Sequence, residues 1–428
     1  MIQPSQITPP MGAERAHEIA TSFDLRALPA DFLANPFPVY ALLREHEPVR
    51  RMPDGSLFLT RHADLMAVYR DAAVFSSDKH VEFAPKYGVD SPLYEHHTTS
   101  LVFNDPPLHT RVRKLIMGAL TRRAIADMEP GLVALVDQLL DRIEARGGGD
   151  LVEDFASAIP VEIIGNLLGV PHHDRGPLRD WSLAILGALE PVPTPEQHAT
   201  GNRSVTEMLA YLRTLVAERR RAPGDPERDV LTRLIQGEAN GEQLSEVELL
   251  QNCIFLLNAG HETTTNLIGN GLILLQEFPE QRAQLLADLR AAGDAAAKEQ
   301  VLTLAVDECL RFESSNQLGN RRALSAATVG GLALAPGTLV TLCIGAANRD
   351  PAVYEHPETL NLRREGNKHL AFGFGIHQCA GLSLARLEGR IAIGRFLDRF
   401  PRFELSAPPV RGGRARFRGF LRAPFSCV

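Results

Sequence analysis

A long apolar segment in the second half of the chain constrains the fold more than any other feature. A helical apolar pattern starts after Ser245 and continues to about Glu277, which predicts a helix roughly 50 Å long at 1.5 Å per residue. Ser245 and Glu248 form the capping-box pattern that begins a helix. Because a helix this long and this apolar must be covered by other elements, we predict that it crosses the interior of a mainly α-helical protein.

The middle of this predicted helix violates the usual rules for a buried segment. Residues 259 to 264 read Ala-Gly-His-Glu-Thr-Thr; a glycine there costs about 1 kcal/mol relative to alanine, and a buried carboxylate is costly unless it is paired. Such violations indicate function. Ala259 and Gly260 leave room for a diatomic ligand beside the backbone. Thr263 can bend the helix and hold a water, and Glu262 can relay protons. The alternative is a glycine-kinked core helix whose glutamate is paired elsewhere.

A second unusual stretch runs from Phe372 to Gly381 and contains one cysteine among glycines. Gly375 and Gly381 permit a sharp turn or close approach to a flat ligand. Apolar residues at helical spacing follow, so Cys379 is predicted to lie just before the N-terminus of a helix. The partial positive charge and free amides of that terminus favour the thiolate, which is the form that binds metal. For a cysteine considered alone, a buried structural role is the alternative.

The spacing of Phe372, Gly375, Cys379 and Gly381 resembles the haem-binding loop of the cytochrome P-450 family, in its soluble bacterial type. The resemblance covers the chain from about Asn35 to Phe403. It implies a mainly α-helical triangular prism with a small β region. It also implies a single domain over residues 1–428, of which 1–30 form a loose arm. Haem b would be held noncovalently, since no CxxCH motif is present, with the Cys379 thiolate as iron ligand as is known for this family.

Basic residues elsewhere match positions that contact the haem propionates in that family. His109 and Arg113 are four residues apart and share one face of a predicted helix. Arg321 matches a third propionate position by its spacing to the glycine pair 330–331, and His377 is a fourth candidate. Considered alone, His109 and Arg113 would form a solvated basic face.

Glu308 and Arg311 match the structural clamp that lies behind the haem in the resembled family. An acid and a base three residues apart are by themselves a common surface pair of little energetic weight. The family usually has an arginine where this chain has Thr359. The resemblance therefore leaves two candidates to complete the clamp, Arg363 and Arg364.

Positions near the substrate follow from the resemblance. Phe255, Asn258 and Ala259 precede the threonine of the long helix on about the same face, and Leu318 is expected on the far side together with the region around residue 420. Ser315 stands where the family often has proline, so the resemblance does not fix the geometry of this segment. These residues do not identify a substrate.

Local patterns predict several other elements. A hairpin is expected around Pro53–Gly55, and helices with breaks from Pro130 to Arg221. Two strands are expected over 328–334 and 338–344. Ser76 to Asn104 shows no periodicity and is expected to be a long loop over the substrate side of the haem.

The resemblance implies a haem-thiolate monooxygenase that inserts one atom of O2 into an organic small molecule, typically as hydroxylation. Glu262 and Thr263 would deliver the protons. Electrons would come from a ferredoxin and its NAD(P)H-dependent reductase, because the segment after Phe403 is too short for a fused reductase. The alternatives are a peroxide-driven peroxygenase, which normally lacks the acid–alcohol pair, and a haem sensor or electron carrier. A non-haem structural protein would leave both motifs unexplained.

Composition sets outer limits on function. The formal net charge is −7, which gives no reason to expect a nucleic-acid partner. The five cysteines show no CxxC pairing, which argues against a disulfide framework or zinc site and suits the cytoplasm. With neither a signal peptide nor an apolar run of about 18 residues, no membrane association is expected.

Overall fold

The computed structural model describes residues 12–226, 229–237 and 243–427. Over these ranges the chain forms seventeen α-helices and twelve short strands, so the predicted mainly α-helical class is confirmed. The helices are α1 (Ala13–Ser22), α2 (Ala30–Ala34), α3 (Phe37–His46), α4 (His62–Arg70), α5 (His80–Tyr87), α6 (Pro92–Thr99), α7 (Leu108–Ala119), α8 (Arg122–Arg146), α9 (Ala158–Leu167), α10 (Leu178–Gly187), α11 (Pro195–Arg221), α12 (Val230–Gln236), α13 (Glu246–Glu277), α14 (Pro279–Ala291), α15 (Ala295–Phe312), α16 (Ile344–Ala347) and α17 (Leu382–Arg399).

The strands form one five-stranded sheet and three smaller sheets. The larger sheet has the order β1-β2-β8-β5-β3, the small ones β4-β12-β9, β6-β7 and β10-β11. The strands are β1 (Val49–Arg51), β2 (Leu57–Leu59), β3 (Phe75–Ser76), β4 (Gly148–Asp150), β5 (Leu318–Ala323), β6 (Ala327–Val329), β7 (Leu332–Leu334), β8 (Leu339–Cys343), β9 (Phe403–Leu405), β10 (Val410–Arg411), β11 (Phe420–Arg422) and β12 (Pro424–Cys427).

Helix α13 is the predicted central helix. It is 32 residues long, and most of its residues between Leu249 and Leu275 are buried. Its capping box forms as expected: the Glu248 amide donates to the Ser245 hydroxyl, and the Ser245 amide donates to the Glu248 carboxylate at 2.8 Å. Helices α9, α10, α11 and α17 pack around it, so it is covered on several sides. None of the helices in the described ranges combines the length and apolar character that crossing a bilayer requires.

The segment from Ser76 to Asn104 is not the loop that we predicted. It contains α5, α6 and a short 3-10 turn at Leu101–Phe103. The Ser91 hydroxyl caps α6 by accepting from the Tyr94 amide at 3.1 Å. Both helices have only eight residues, too few to be stable alone, and they form here because α6 packs against α11 and α13. Sequence periodicity misses helices that tertiary contacts stabilise.

Two other expectations need correction, and several are confirmed. The arm expected over residues 1–30 contains α1, which packs against α3; residues 1–11 lie outside the described ranges. The strand expected over 328–334 is the β6–β7 hairpin, because Gly330 and Gly331 have φ of 56° and 84° and reverse the chain. The β1–β2 hairpin, the β8 strand and the broken helical stretch from 130 to 221 are confirmed, with β4 as an unpredicted addition.

Candidate functional site

The cysteine loop has the predicted form, a tight turn that leads into a helix. The Cys379 amide donates to the Phe372 carbonyl at 2.8 Å, and α17 begins three residues after the cysteine. Gly375 has φ of 74°, and a side chain there would clash with the Tyr69 carbonyl of α4. The loop thus requires glycine at this position both for conformation and for packing.

The surroundings of Cys379 act on its thiol in opposite directions. Burial raises the pKa of Cys379, whereas the Gly381 amide and the nearby Arg113 and Arg386 lower it. Burial outweighs these contributions, so the pKa lies above its usual value. The Gly381 amide favours the thiolate as expected, and burial opposes it. A bound metal cation would supply the missing charge, because coordinating thiols are deprotonated by the metal.

The face of α13 that carries the acid–alcohol motif borders an internal space. Phe255, Ala259 and Thr263 are partly accessible at a spacing of four residues, although the helix turns before and after them are buried. The Thr263 hydroxyl donates to the Ala259 carbonyl at 2.8 Å, as predicted. Helix α17, which begins three residues after Cys379, packs against α13, so the two motifs lie on neighbouring elements of the fold.

Gly260 lies against α9. A Cβ atom at this position would lie 3.0 Å from Cδ1 of Ile164. Glycine therefore permits close packing of α9 against α13. The room for a small ligand beside Ala259 and Gly260 stays a prediction, and both residues are partly accessible.

Glu262 is buried, and only half of its carboxylate is satisfied. Arg414 donates from Nη1 to Oε1 at 2.5 Å, while Oε2 has no hydrogen-bond partner in the described ranges. The pKa of Glu262 is raised to about 7. Burial is the main cause and Glu190 adds to it, whereas Arg414 acts in the opposite direction. A carboxyl group with this pKa exchanges its proton readily at neutral pH.

A small cavity of about 20 Å³ lies beside Glu262 and Arg414. It has room for one water molecule, for which about 10–15 Å³ suffices. His261 and Asn266 also line it, and each has a buried nitrogen without a hydrogen-bond partner in the described ranges. A water here would satisfy these groups and contact the carboxyl group.

Four of the predicted propionate contacts come together beside the cysteine loop. The rings of His109 and His377 lie 4.1 Å apart. Neither ring nitrogen of His109, nor Nε2 of His377, makes a well-formed hydrogen bond to a described residue, and all three atoms are buried. Burial, with Arg321 as the next cause, lowers the pKa of His377 to about 2, and burial and Arg113 lower that of His109. That all four side chains contact the haem carboxylates stays a prediction.

Two partly exposed arginines lie near these histidines. Arg113 has no hydrogen-bond acceptor among the described residues, and Arg321 donates only to the carbonyl of its neighbour Asn320, at 2.8 Å. Buried donors without partners are rare in folded proteins. A ligand with two carboxylates, placed against a thiolate, would satisfy this set. The residues present therefore fit haem b.

The Glu308–Arg311 clamp is confirmed as a contact and is fully buried. Arg311 donates to Glu308 through Nε and Nη2, both at 2.8 Å. Arg364 makes the third contact, from Nε to Oε2 of Glu308 at 3.0 Å. Arg363 binds Asp288 instead. The carbonyl of Thr359 accepts from Arg311 at 3.1 Å, so this position contributes through its backbone.

The predicted substrate residues differ in their surroundings. Asn258 is buried, and neither atom of its amide has a hydrogen-bond partner in the described ranges. The Ser315 hydroxyl is also buried and has no hydrogen-bond partner in the described ranges. Leu318 does not line the internal space: it is 1% exposed and packs in the cluster with Tyr40 and Cys343. Alternation along β5 turns its side chain into the core.

Sequence reasoning missed Arg414 and its neighbours. Arg414 is separated from Glu262 by 152 residues and lies between β10 and β11. Four arginines fall between residues 411 and 418, in an otherwise apolar C-terminal region. This local density of arginines was the signal in the sequence that could have pointed to Arg414. Only the fold shows which carboxylates these arginines meet.

Comparison with known proteins defines the class. The cytochrome P-450 family model matches residues 184–419. Cytochrome P-450 107B1 of Saccharopolyspora erythraea is 36% identical over 399 residues, covering 90% of this chain and 93% of that protein. The vitamin D(3) 25-hydroxylase of Pseudonocardia autotrophica is 36% identical over 374 residues, covering 86% and 87%. The solved structure of P450BioI with an acyl carrier protein ligated to hexadec-9Z-enoic acid has a TM-score of 0.85 at 31% identity, covering 93% of this chain and 100% of that one.

The chain is therefore a haem protein of the monooxygenase class, and it belongs to the cytochrome P-450 family. Members of this family hold haem b noncovalently through a cysteine thiolate. They act on small organic molecules with O2 and redox partners.

Proposed function

We propose that this enzyme hydroxylates an organic small molecule, with Cys379 as the iron ligand and a ferredoxin as electron donor. One observation carries the proposal. The cysteine loop leads into a helix that packs against the helix of Glu262 and Thr263, and His109 and His377 at the loop have buried, unpartnered nitrogens that fit the carboxylates of haem.

Haem bound through the thiolate supplies the activation of dioxygen. The chain supplies the protons and the dry surroundings. The Thr263 hydroxyl donates to the Ala259 carbonyl at 2.8 Å, which leaves its oxygen free to accept from a water. Glu262 holds a proton near neutral pH, and Arg414 fixes one of its oxygens at 2.5 Å. Water in the adjoining cavity would renew that proton.

The absorption spectrum of the reduced, CO-treated protein tests the ligand assignment. We expect a strongly red-shifted Soret band, and we expect Cys379→Ala to lose it. Cys343→Ala is the matched control, because Cys343 is buried in another cluster and should leave the band unchanged. An unshifted band in the parent protein, or a normal band in Cys379→Ala, would overturn the assignment.

Turnover tests the reaction and the electron donor. Product should form with ferredoxin, ferredoxin reductase and NAD(P)H. Thr263→Ala should keep the haem while product formed per NAD(P)H falls roughly tenfold or more, in the range of lost proton-transfer catalysis. Thr265→Ala is the control, since its hydroxyl donates in the same way to the His261 carbonyl at 3.0 Å. Turnover with hydrogen peroxide alone, insensitive to Thr263→Ala, would indicate the peroxygenase instead.

The expected compartment is the cytoplasm. All five cysteines are free, as suits a reducing environment. Arg111 and Lys114, both on α7, are our candidates for the ferredoxin-binding face, and Arg111 forms an ion pair with Glu248. A fall in ferredoxin affinity with rising salt would support electrostatic docking, and salt-independent turnover would oppose it.

A further inference from the structure

One interior arginine of this protein lacks the carboxylate that its neighbours have. Arg311, Arg349 and Arg414 each form an ion pair with a glutamate, at 2.8, 2.7 and 2.5 Å respectively. Arg416 donates to the Leu318 carbonyl at 3.0 Å and to the Asn320 side chain. Its Nε is buried without a partner, and no carboxylate of residues 12–226, 229–237 or 243–427 lies within 4 Å of the guanidinium.

The carboxylate that acts most on Arg416 is not in contact with its guanidinium. Glu190 is that carboxylate, and its oxygens accept from the Ala415 and Arg416 amides. Glu190 also acts on Lys86, whose ammonium donates to the Glu190 backbone carbonyl at 2.7 Å. Burial lowers the pKa of Lys86 to about 7, so Lys86 is only partly charged at neutral pH. Arg416 is therefore the permanent interior cation here, and its guanidinium has no carboxylate within 4 Å in the described part of the chain.

Arg416 lies beside the donors predicted for the haem carboxylates. Its side chain is bound to β5 at Asn320, one residue before Arg321. On the other side, its backbone amide donates to Glu190, whose carbonyl accepts from Lys86 of α5. Arg416 thus lies between the donors that fit the haem carboxylates and the helices over the substrate side.

The two haem carboxylates do not account for Arg416. The group that fits them already contains His109, Arg113, Arg321 and His377. Those four side chains have free donors of their own. A planar guanidinium suits a carboxylate and forms strong, charge-assisted hydrogen bonds with it. A buried cation without a counter-ion is costly, so a ligand that supplies one is favoured.

We propose that Arg416, supported by Lys86, binds the carboxylate of an organic acid that is the substrate of this enzyme. The inference rests on the proposed function and narrows its substrate class. Asn258 would meet a second polar group of the substrate, because its amide is buried and unpartnered in the described ranges. The carbon skeleton of the acid would lie along the accessible face of α13 at Phe255.

Ferric-haem difference spectra at pH 8 test this with matched ligands. The probes are dodecanoic, hexadecanoic and deoxycholic acid, each beside its methyl ester. We expect at least one acid to bind tighter than its ester by about 10- to 100-fold, the range for hydrogen bonds to charged groups. Arg416→Gln should remove this preference, and Arg416→Lys should keep part of it. Arg322→Gln is the control, since it removes a nearby charge that is already paired with Glu82 at 2.9 Å.

Each outcome decides the question. Loss of the acid preference in Arg416→Gln, with haem content and the CO spectrum unchanged, supports the site. If no acid binds tighter than its ester, or if Arg416→Gln retains the preference, the proposal is overturned. If Arg416→Gln and Arg416→Lys both fail to bind haem, Arg416 serves the haem or the fold and the proposal is again overturned. The parent protein's CO spectrum is independent of all three, so a failure of the monooxygenase assignment would be recognised separately.

Discussion

Glu308 and Glu262 are both buried glutamates paired with an arginine, and they differ in how completely they are satisfied. Glu308 accepts from Arg311 twice, from Arg364 and from the Asn361 amide, all between 2.8 and 3.0 Å. Glu262 accepts from Arg414 through one oxygen, and the other has no partner among the described residues. The first carboxylate is held in one position by these donors. Burial raises the pKa of the second to about 7, which lets it change state.

The difference in hydrogen bonding gives Glu308 a structural role and Glu262 a chemical one. A fully satisfied buried ion pair fixes geometry, because every displacement breaks several hydrogen bonds at once. A partly satisfied acid with a pKa near neutrality can give and take a proton. The clamp sets α15 against the irregular segment before the cysteine loop, and Glu262 lies on α13 beside the internal space. The same residue type therefore has two roles, set by the number of donors around it.

Arg311→Leu should have the largest effect. It leaves Glu308 buried with its main counter-charge gone, and breaking such a pair costs about 3–5 kcal/mol. We expect this loss in the free energy of unfolding measured in urea, together with loss of haem. Arg363→Leu is the control, because its pair with Asp288 lies on the surface, and it should have far less effect. A small loss in Arg311→Leu would mean that the clamp is not structural.

Glu388→Gln extends the comparison to a buried acid without an ion pair. Burial raises the pKa of Glu388 to about 8. The native state therefore binds more protons than the unfolded state between the ordinary glutamate pKa and pH 8, and stability falls as pH rises through this window. At 1.36 kcal/mol per pKa unit, the glutamine variant should be more stable above pH 8 by at most about 5 kcal/mol. The two proteins should converge near pH 4.

Urea unfolding at several pH values measures this difference. The exposed Glu280→Gln substitution is the control and should leave the pH dependence of the parent unchanged. Parallel pH profiles for Glu388→Gln and the parent would show that Glu388 does not bind the extra proton.

Arg414→Leu should change the pKa of Glu262. The cation that lowers the pKa of Glu262 is removed, so that pKa should rise above about 7. A rise of one unit corresponds to 1.36 kcal/mol. The pH dependence of product formed per NAD(P)H should move upwards by about one unit, and the infrared carboxyl band of Glu262 should persist to higher pH. In a Glu262→Gln background, Arg414→Leu should leave the pH dependence of product formed per NAD(P)H unchanged. A double-mutant cycle would measure this.

Arg364→Ala should have the smallest effect. It removes one hydrogen bond to Glu308, worth about 1–1.5 kcal/mol, while Arg311 and the Asn361 amide remain. Urea unfolding should therefore show a loss well below that of Arg311→Leu. Equal losses of unfolding free energy in Arg364→Ala and Arg311→Leu would show that Glu308, Arg311 and Arg364 act as one unit. The stabilisation could then not be assigned to Arg311 alone.

The sequence by itself determined the long central helix, its start at Ser245 and the cysteine turn before α17. These are local features, since capping boxes, apolar periodicity and glycine turns involve residues close in the chain. It also determined the family, because the residues of the haem loop lie within ten positions of each other. The resemblance also predicts the acid–alcohol pair and the haem-carboxylate donors, which lie in separate short motifs along the chain.

Only the tertiary structure decided which charges meet. The partner of Glu262 is 152 residues away, and the third contact of the clamp is Arg364, with Arg363 turned to Asp288. The fold also formed α5 and α6 where periodicity predicted a loop, and turned Leu318 into the core. Such contacts depend on the packing of distant segments, which carries no signal in local sequence. The Arg416 guanidinium, which no carboxylate contacts in the described ranges, is also a product of the tertiary structure. It can be recognised only when all neighbouring carboxylates have been located.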